Sequence, residues 1–186
     1  MFTLAHISDP HIGPMPDLPL SQILSKRFFG YKNWKRNRHK VHSSEILAHL
    51  VKDIKRQKID HVALTGDLVN LSLPMEFPRA HNWLKALGKP DWISVIPGNH
   101  DAYVPQPWDE GLGLWQDYMA SDKAGIKYLG AQEEPFPYVR IRGKIALIGL
   151  CSGEVFPPLL ARGMLGQNQI ESAKNVLRKL GEKGFY

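Results

Sequence analysis

Trp92-Ile93-Ser94-Val95-Ile96-Pro97-Gly98-Asn99-His100-Asp101 sets the pattern on which this chain is built. A short run rich in β-branched residues ends abruptly in a small polar turn, as a buried strand does. The same order occurs twice upstream. Asp60 to Thr65 reads as a strand that ends in Gly66-Asp67. Phe2 to Ser8 reads as another, opening at Asp9-Pro10-His11, where Pro10 pushes Asp9 out of the helical region. Between the strands lie helical patterns. Val41 to Gln57 places Val41, Ile46, Leu47, Leu50, Val51 and Ile54 at helical spacing, and Glu76 to Leu87 buries Phe77, Trp83, Leu84 and Leu87 before stopping at Gly88. Strands alternating with helices argue for parallel pairing. Open α/β sheets bind ligands at the carboxyl ends of their strands. Parallel neighbours would therefore bring all three polar clusters to one rim.

Outside that core the texture differs. Residues 13 to 20 carry Gly13, Pro14, Pro16 and Pro19 and read as loop. Gly111 to Ala120 predicts a short helix. Tyr138 to Ile141, a turn at Arg142-Gly143, and Lys144 to Leu150 predict a β-hairpin. Gly166 to Leu180 predicts an amphipathic helix with Ile170, Ala173, Val176, Leu177 and Leu180 on one face. The fold class is α/β with a mixed sheet. No repeat or linker interrupts the chain, which reads as one domain over 1–186 with a basic, aromatic insertion near 14–40.

Composition narrows the function. The chain has 186 residues, 43% hydrophobic and 23% charged, which excludes wholesale disorder. A single cysteine, Cys151, excludes an intramolecular disulfide and a thiolate zinc cluster. No apolar run approaches the roughly 20 residues that span a bilayer. The start, Met1 to His6, lacks the basic and apolar stretches of a signal peptide, so a cytoplasmic location is expected. A net charge of +6 favours an anionic substrate or partner. All eight histidines lie at or before His100.

The three clusters share a chemistry. Asp9 and His11, two apart in an extended segment, would point to one side and chelate a cation through a carboxylate oxygen and an imidazole nitrogen. Gly66 would let the backbone aim Asp67 inward, where its two oxygens could bridge two cations. Asn99 would add an amide oxygen, leaving His100 as a proton donor or phosphate contact. Nitrogen and oxygen ligands without sulfur suit Mn, Fe or Zn. Two such ions about 3.5–4 Å apart form the usual clamp for phosphoester hydrolysis.

Asp9-Pro10-His11, Gly66-Asp67 and Gly98-Asn99-His100-Asp101 resemble the calcineurin-like metallophosphoesterase superfamily, whose pattern runs D-x-H, G-D, G-N-H-[DE]. Within it the chain looks most like the bacterial branch that includes cyclic-nucleotide phosphodiesterases. The resemblance implies a β-sandwich flanked by helices and a centre of two divalent metal ions. Asp9 and His11 would hold the first ion, Asp67 would bridge, and Asn99 would hold the second. His100 would be catalytic, stabilising the transition state or protonating the leaving oxygen, with Asp101 at most orienting it. Asn70 stands where some relatives carry Asp and is not taken as a ligand. The implied function is hydrolysis of a phosphomonoester or phosphodiester by metal-bound hydroxide, a cyclic nucleotide leading. The family's later histidine and G-H-x-H segment have no counterpart after His100. The expectation is an N-terminal portion of the domain, in which the first ion keeps Asp9, His11 and Asp67 and the second keeps only Asp67 and Asn99, so that either two ions or one alone is held.

Two rival functions stand beside this one: a non-catalytic scaffold on the same fold, and a nuclease or nucleic-acid binder. The second draws on Lys26, Arg27, Lys32, Lys35, Arg36, Arg38 and Lys40, interleaved with Phe28, Phe29, Tyr31 and Trp34. That segment reads as a substrate-steering flap, a nucleic-acid or membrane-surface patch, or a solvated insertion whose aromatics pack on the body. A small phosphorylated substrate is favoured over nucleic acid. His39, His42, His49 and His61 read as helix-surface or loop residues, His6 as a satisfied sheet histidine, and Cys151 as a buried small residue.

Overall fold

The computed structural model describes residues 1–16, 25–36, 42–131, 134–157, 160 and 162–186. Three parallel strands form the first sheet in the order β1 (Leu4–Ile7), β2 (His61–Thr65), β3 (Ile93–Ile96). Leu4 pairs with His61 and Ile7 with Leu64, while Val62 pairs with Ile93 and Thr65 with Ile96. Val62, Leu64, Ile93 and Val95 are fully buried, the near-continuous apolar burial that a covered parallel sheet requires.

Helix α1 spans Arg27–Arg36, α2 spans Ser44–Arg56 and α3 spans Glu76–Leu87. The predicted second helix starts later than expected: Val41 lies outside the described residues, and Ser43 caps α2 by accepting from the Ile46 N–H. Ile54 of α2, together with Phe77, Ala80, Leu84 and Leu87 of α3, packs with the strand residues into the main core. Trp115 completes that core, its indole N–H donating to Phe77 O. It sits in the short helix expected there, which is a 3₁₀ helix over Leu112–Met119. Trp83 and Trp92 are only partly buried, at the edge of the same core.

The hairpin forms as a second, separate sheet, β4 (Tyr138–Arg142) and β5 (Ile145–Gly149), antiparallel, with Gly143 at φ 62° in its turn. Its side chains alternate between two layers. Tyr138 and Arg140 face β3: the Tyr138 hydroxyl donates to Val95 O at 2.8 Å, and Arg140 donates to the carbonyls of Ile93, Pro90, Ala120 and Asp117. Val139 and Ile141 face the last helix, α4 (Gln167–Glu182), against Val176 and Leu180. The buried face of α4 is Gln169, Ala173, Val176 and Leu180. Leu177, expected on it, is exposed: it lies at the margin of the buried stripe, about 70° from its centre. Gln169 earns burial by bracing the chain after β5, accepting from Cys151 N and donating to Cys151 O.

His61 departs from its expected surface role. It is fully buried in β2, with Nε2 2.8 Å from Ser94 Oγ and Nδ1 accepting from Arg142 Nε. Burial, reinforced by Arg142 and Arg140, lowers its pKa to about 4. His6 is a satisfied sheet histidine, its Nε2 2.7 Å from Thr65 Oγ1, but on the exposed side. No helix among the described residues is long and apolar enough to cross a membrane.

Candidate metal centre

The polar clusters after β1, β2 and β3 meet at one rim, as the parallel pairing requires. The first two loops continue to hydrogen-bond beyond their strands: Asp9 N donates to Gly66 O, His11 N to Asp67 O and Ile12 N to Leu68 O. That ladder sets Asp9 and His11 alongside Asp67.

The local backbone is strained. Asp9, His11 and Asp67 all have positive φ (54°, 39° and 54°), as do Lys58 and Ser72. Each such residue costs on the order of 1–2 kcal/mol relative to a relaxed conformation. The expected extended geometry at Asp9-Pro10-His11 is therefore interrupted by left-handed backbone at Asp9 and His11. The side chains still converge, with Asp9 Oδ1 3.9 Å from His11 Nε2, but through that backbone and not through the pleat.

Gly66 fulfils its expected role. Its φ is +83°, and a Cβ there would lie 2.3 Å from Gly98 N. Gly98 is the reciprocal position, facing the Asp67 carboxylate. Asp67 Oδ1 accepts from His100 N at 2.8 Å, while Oδ2 lies 3.9 Å from His11 Nε2. Burial raises the Asp67 pKa, and the His100 N–H opposes that rise.

Both site imidazoles are oriented by backbone. His11 Nδ1 lies 3.1 Å from Val69 O, and His100 Nδ1 lies 2.5 Å from Asn70 O. A carbonyl only accepts, so each Nδ1 carries the proton and each Nε2 presents a lone pair, the arrangement typical of a histidine that binds a metal. One donor atom each from His11, Asp67 and His100 can be chosen within 4.8 Å of one another, and all three side chains are buried. Asn70 Oδ1, on the residue that holds His100, is buried with no hydrogen-bond partner among the described residues. A buried set of two imidazoles and a carboxylate fits a divalent cation of the Mn, Fe or Zn class.

The structure thus groups His100 with the metal-capable residues, where the sequence assigned it catalysis. Asp9 is mostly exposed at the margin, its side chain 59% accessible. Asn99 stands at the same rim. It lines a cleft of about 330 Å³ with Asp9, Asp67, Ser152 and Arg162, and a neighbouring cleft of about 400 Å³ with Lys26, Phe29, His100, Tyr103 and Arg162. Asn99 and Arg162 belong to both.

Asp101 takes a different part from the one expected. Its buried carboxylate accepts from Gly98 N and Val69 N, tying the loop after β3 to the loop after β2, while Asn70 O orients the His100 ring. Burial raises the Asp101 pKa to about 7. Glu76 was also missed. It is buried at the start of α3, with Oε1 accepting from Asn70 N and Oε2 from Leu71 N and Leu73 N. Arg27 of α1 clasps the same loop through Leu71 O and Ser72 O. His42, expected at the surface, stands edge-on to His11 at 4.6 Å between ring centroids. Cys151 is half-buried, and burial pushes its thiol up to about 11, an inert state.

A protein-family model described as calcineurin-like phosphoesterase matches residues 2–179. No curated protein matches the chain.

Proposed function

The chain belongs to the calcineurin-like phosphoesterases, and on that premise we propose that it hydrolyses a phosphomonoester or phosphodiester at the rim formed by Asp9, His11, Asp67, Asn99 and His100. The observation that carries this reading is the convergence of His11, Asp67 and His100, with both Nδ1 atoms held by backbone carbonyls. Divalent ions bound there would neutralise phosphoryl oxygens and make a water acidic enough to attack near neutral pH.

The chain's own residues supply position and proton transfer. Asp67 is fixed by the His100 N–H, so its second oxygen is directed toward His11. Asp9, across from His11, adds negative charge at the open side of the site. Asn99, shared by the two clefts, offers an amide to a phosphoryl oxygen, and Arg162 offers a guanidinium from the opposite wall. His100 lines one of the two clefts and presents its Nε2 lone pair. In the reaction, the water oxygen would bond to phosphorus as the bond to the ester oxygen breaks. His100 Nε2 would take one proton from the water and pass it to the departing oxygen, and the other water proton would stay with the phosphate product.

The test is hydrolysis of bis(p-nitrophenyl) phosphate and p-nitrophenyl phosphate by protein supplied with Mn²⁺. Turnover by the native chain and its loss in Asp67→Asn, with circular dichroism unchanged, is the expected result. Equal turnover by both proteins, or none by the native one, overturns the reading. The cyclic nucleotide implied by the resemblance is one diester of this class.

A further inference from the structure

The cleft beside His100 is the place where an ester substituent would lie, and its walls describe that substituent. It is lined by Phe29, Tyr103, Phe156 and Leu160, with Lys26 and Arg162 at its sides. Two of its three aromatic rings, Tyr103 and Phe156, are already engaged as platforms, and only Phe29 is left largely open. Tyr103 stacks on His100 at 5.5 Å and carries the Lys26 ammonium 4.3 Å from its centroid. Phe156 carries the Arg162 guanidinium at 4.6 Å. Base recognition needs open faces on which to stack. What these walls offer is apolar surface beside two cations, Lys26 and Arg162, and one carboxylate, Glu154.

The apolar surface continues out of the cleft. Helix α1 turns Arg27, Gly30, Tyr31 and Trp34 toward the body, where Tyr31 and Trp34 pack against Met15, Leu71 and Leu73. Its outer face exposes Phe28 and Phe29 to 46% and 52%, with Lys32, Lys35 and Arg36 beside them and no acidic residue in the helix. Leu160, on the far wall, is 49% exposed. Large exposed apolar groups ringed by cations mark an interaction surface. Aromatic and basic residues sharing one exposed helix face suit the headgroup region of an anionic bilayer.

We propose that the substrate is an amphiphilic phosphoester, its apolar chain in the cleft beside His100, and that α1 seats the protein on the anionic membrane surface that presents it. This rests on the phosphoesterase reading above for the chemistry, and on α1 alone for the seat.

Two measurements test it on the full chain loaded with Mn²⁺. The first is flotation with vesicles of phosphatidylcholine, and of phosphatidylcholine mixed with an equal share of phosphatidylglycerol. Binding to the mixed vesicles only, weakened about tenfold or more by Phe28→Ser/Lys32→Glu, is expected. That variant lies outside the cleft lining and keeps native turnover of bis(p-nitrophenyl) phosphate. The second is kcat/KM along a series of alkyl p-nitrophenyl phosphates from methyl to octyl. A rise of up to about fourfold per methylene until the cleft fills is expected. No flotation, or flotation unchanged in the variant, overturns the seat. A flat chain-length series, or a preference for 3′,5′-cyclic AMP over the octyl ester, overturns the substrate class while the phosphoesterase reading stands. Retention of single-stranded RNA with the mixed vesicles left unbound replaces the membrane with nucleic acid. Flotation as expected with no ester hydrolysed overturns the phosphoesterase reading and leaves α1 as a membrane anchor.

Discussion

A methyl group on Gly98 would lie 2.2 Å from Oδ1 of Asp67 and 2.7 Å from its backbone nitrogen. Gly98 is therefore the empty space into which the site's central carboxylate fits. Gly98→Ala is expected to displace that carboxylate or the loop after β3. The cost to stability is about 1–3 kcal/mol, as for other overpacked sites. Calorimetric titration with Mn²⁺ should show affinity falling by at least about tenfold, the loss usual for even an outer-shell partner. Unchanged Mn²⁺ affinity would show that Asp67 is not held where a cation needs it.

Asp67→Asn separates charge from shape. The amide oxygen can still accept the His100 N–H, and a carboxylate destabilised by burial is gone. Thermal stability of the metal-free protein should hold or rise slightly at neutral pH. Mn²⁺ binding should weaken by more than in Gly98→Ala. A melting temperature lowered by several degrees would point instead to a structural role for the charge.

Glu76→Gln probes the loop that carries Asn70. Three backbone donors converge on the carboxylate, and an amide presents only one accepting oxygen. The variant should lose about 2 kcal/mol in urea unfolding, the cost of an unsatisfied buried donor. Because Asn70 O holds His100 Nδ1, Mn²⁺ affinity should also fall, although Glu76 touches no metal-capable side chain of the trio. Loss of stability without loss of affinity would uncouple the loop from the ring.

His61 gives a signed pH dependence. Its folded pKa is lowered to about 4 by burial and the Arg142 and Arg140 cations, against 6.5 for the ordinary group. Between those values the unfolded chain takes up a proton that the folded chain refuses, so stability falls as pH drops through that window. The contribution is at most about 3 kcal/mol. Asp101, raised to about 7, acts in the opposite sense: as pH rises from about 4 to 7 the unfolded chain gives up a proton that the folded chain keeps, so stability falls with rising pH. The two partly cancel in the native protein. The difference between native and His61→Gln urea midpoints across that range isolates the histidine, and the variant should lose less stability on acidification.

The parallel core and the rim were legible because both are written locally. Each strand is a short apolar run that ends at its own polar cluster, and Gly66 announces the turn that follows it. Asp9 and His11 were legible as residues but not as geometry: proline between them suggested extension, whereas the ladder to Gly66 and Asp67 demands left-handed backbone at both. Glu76 and Asp101 were opaque for a different reason. Their partners are backbone N–H groups, which every residue carries, so no sequence pattern marks them. His61 was misjudged because a polar residue at a strand start looks exposed until Ser94 and Arg142 arrive from distant parts of the chain. The outward Phe28 and Phe29 defeat pattern reading as well, since aromatic residues ordinarily mark a buried face.

The two site imidazoles take their orientation from the consecutive carbonyls of Val69 and Asn70. Peptide oxygens survive any side-chain replacement, but their spacing does not survive an insertion. The segment from Asp67 to Glu76 is thus a ruler whose graduations are peptide units. Its side chains from Asp67 to Leu73 are buried, so the core fixes its packing as the carbonyls fix its length. A single added or deleted residue there would turn both rings out of register together.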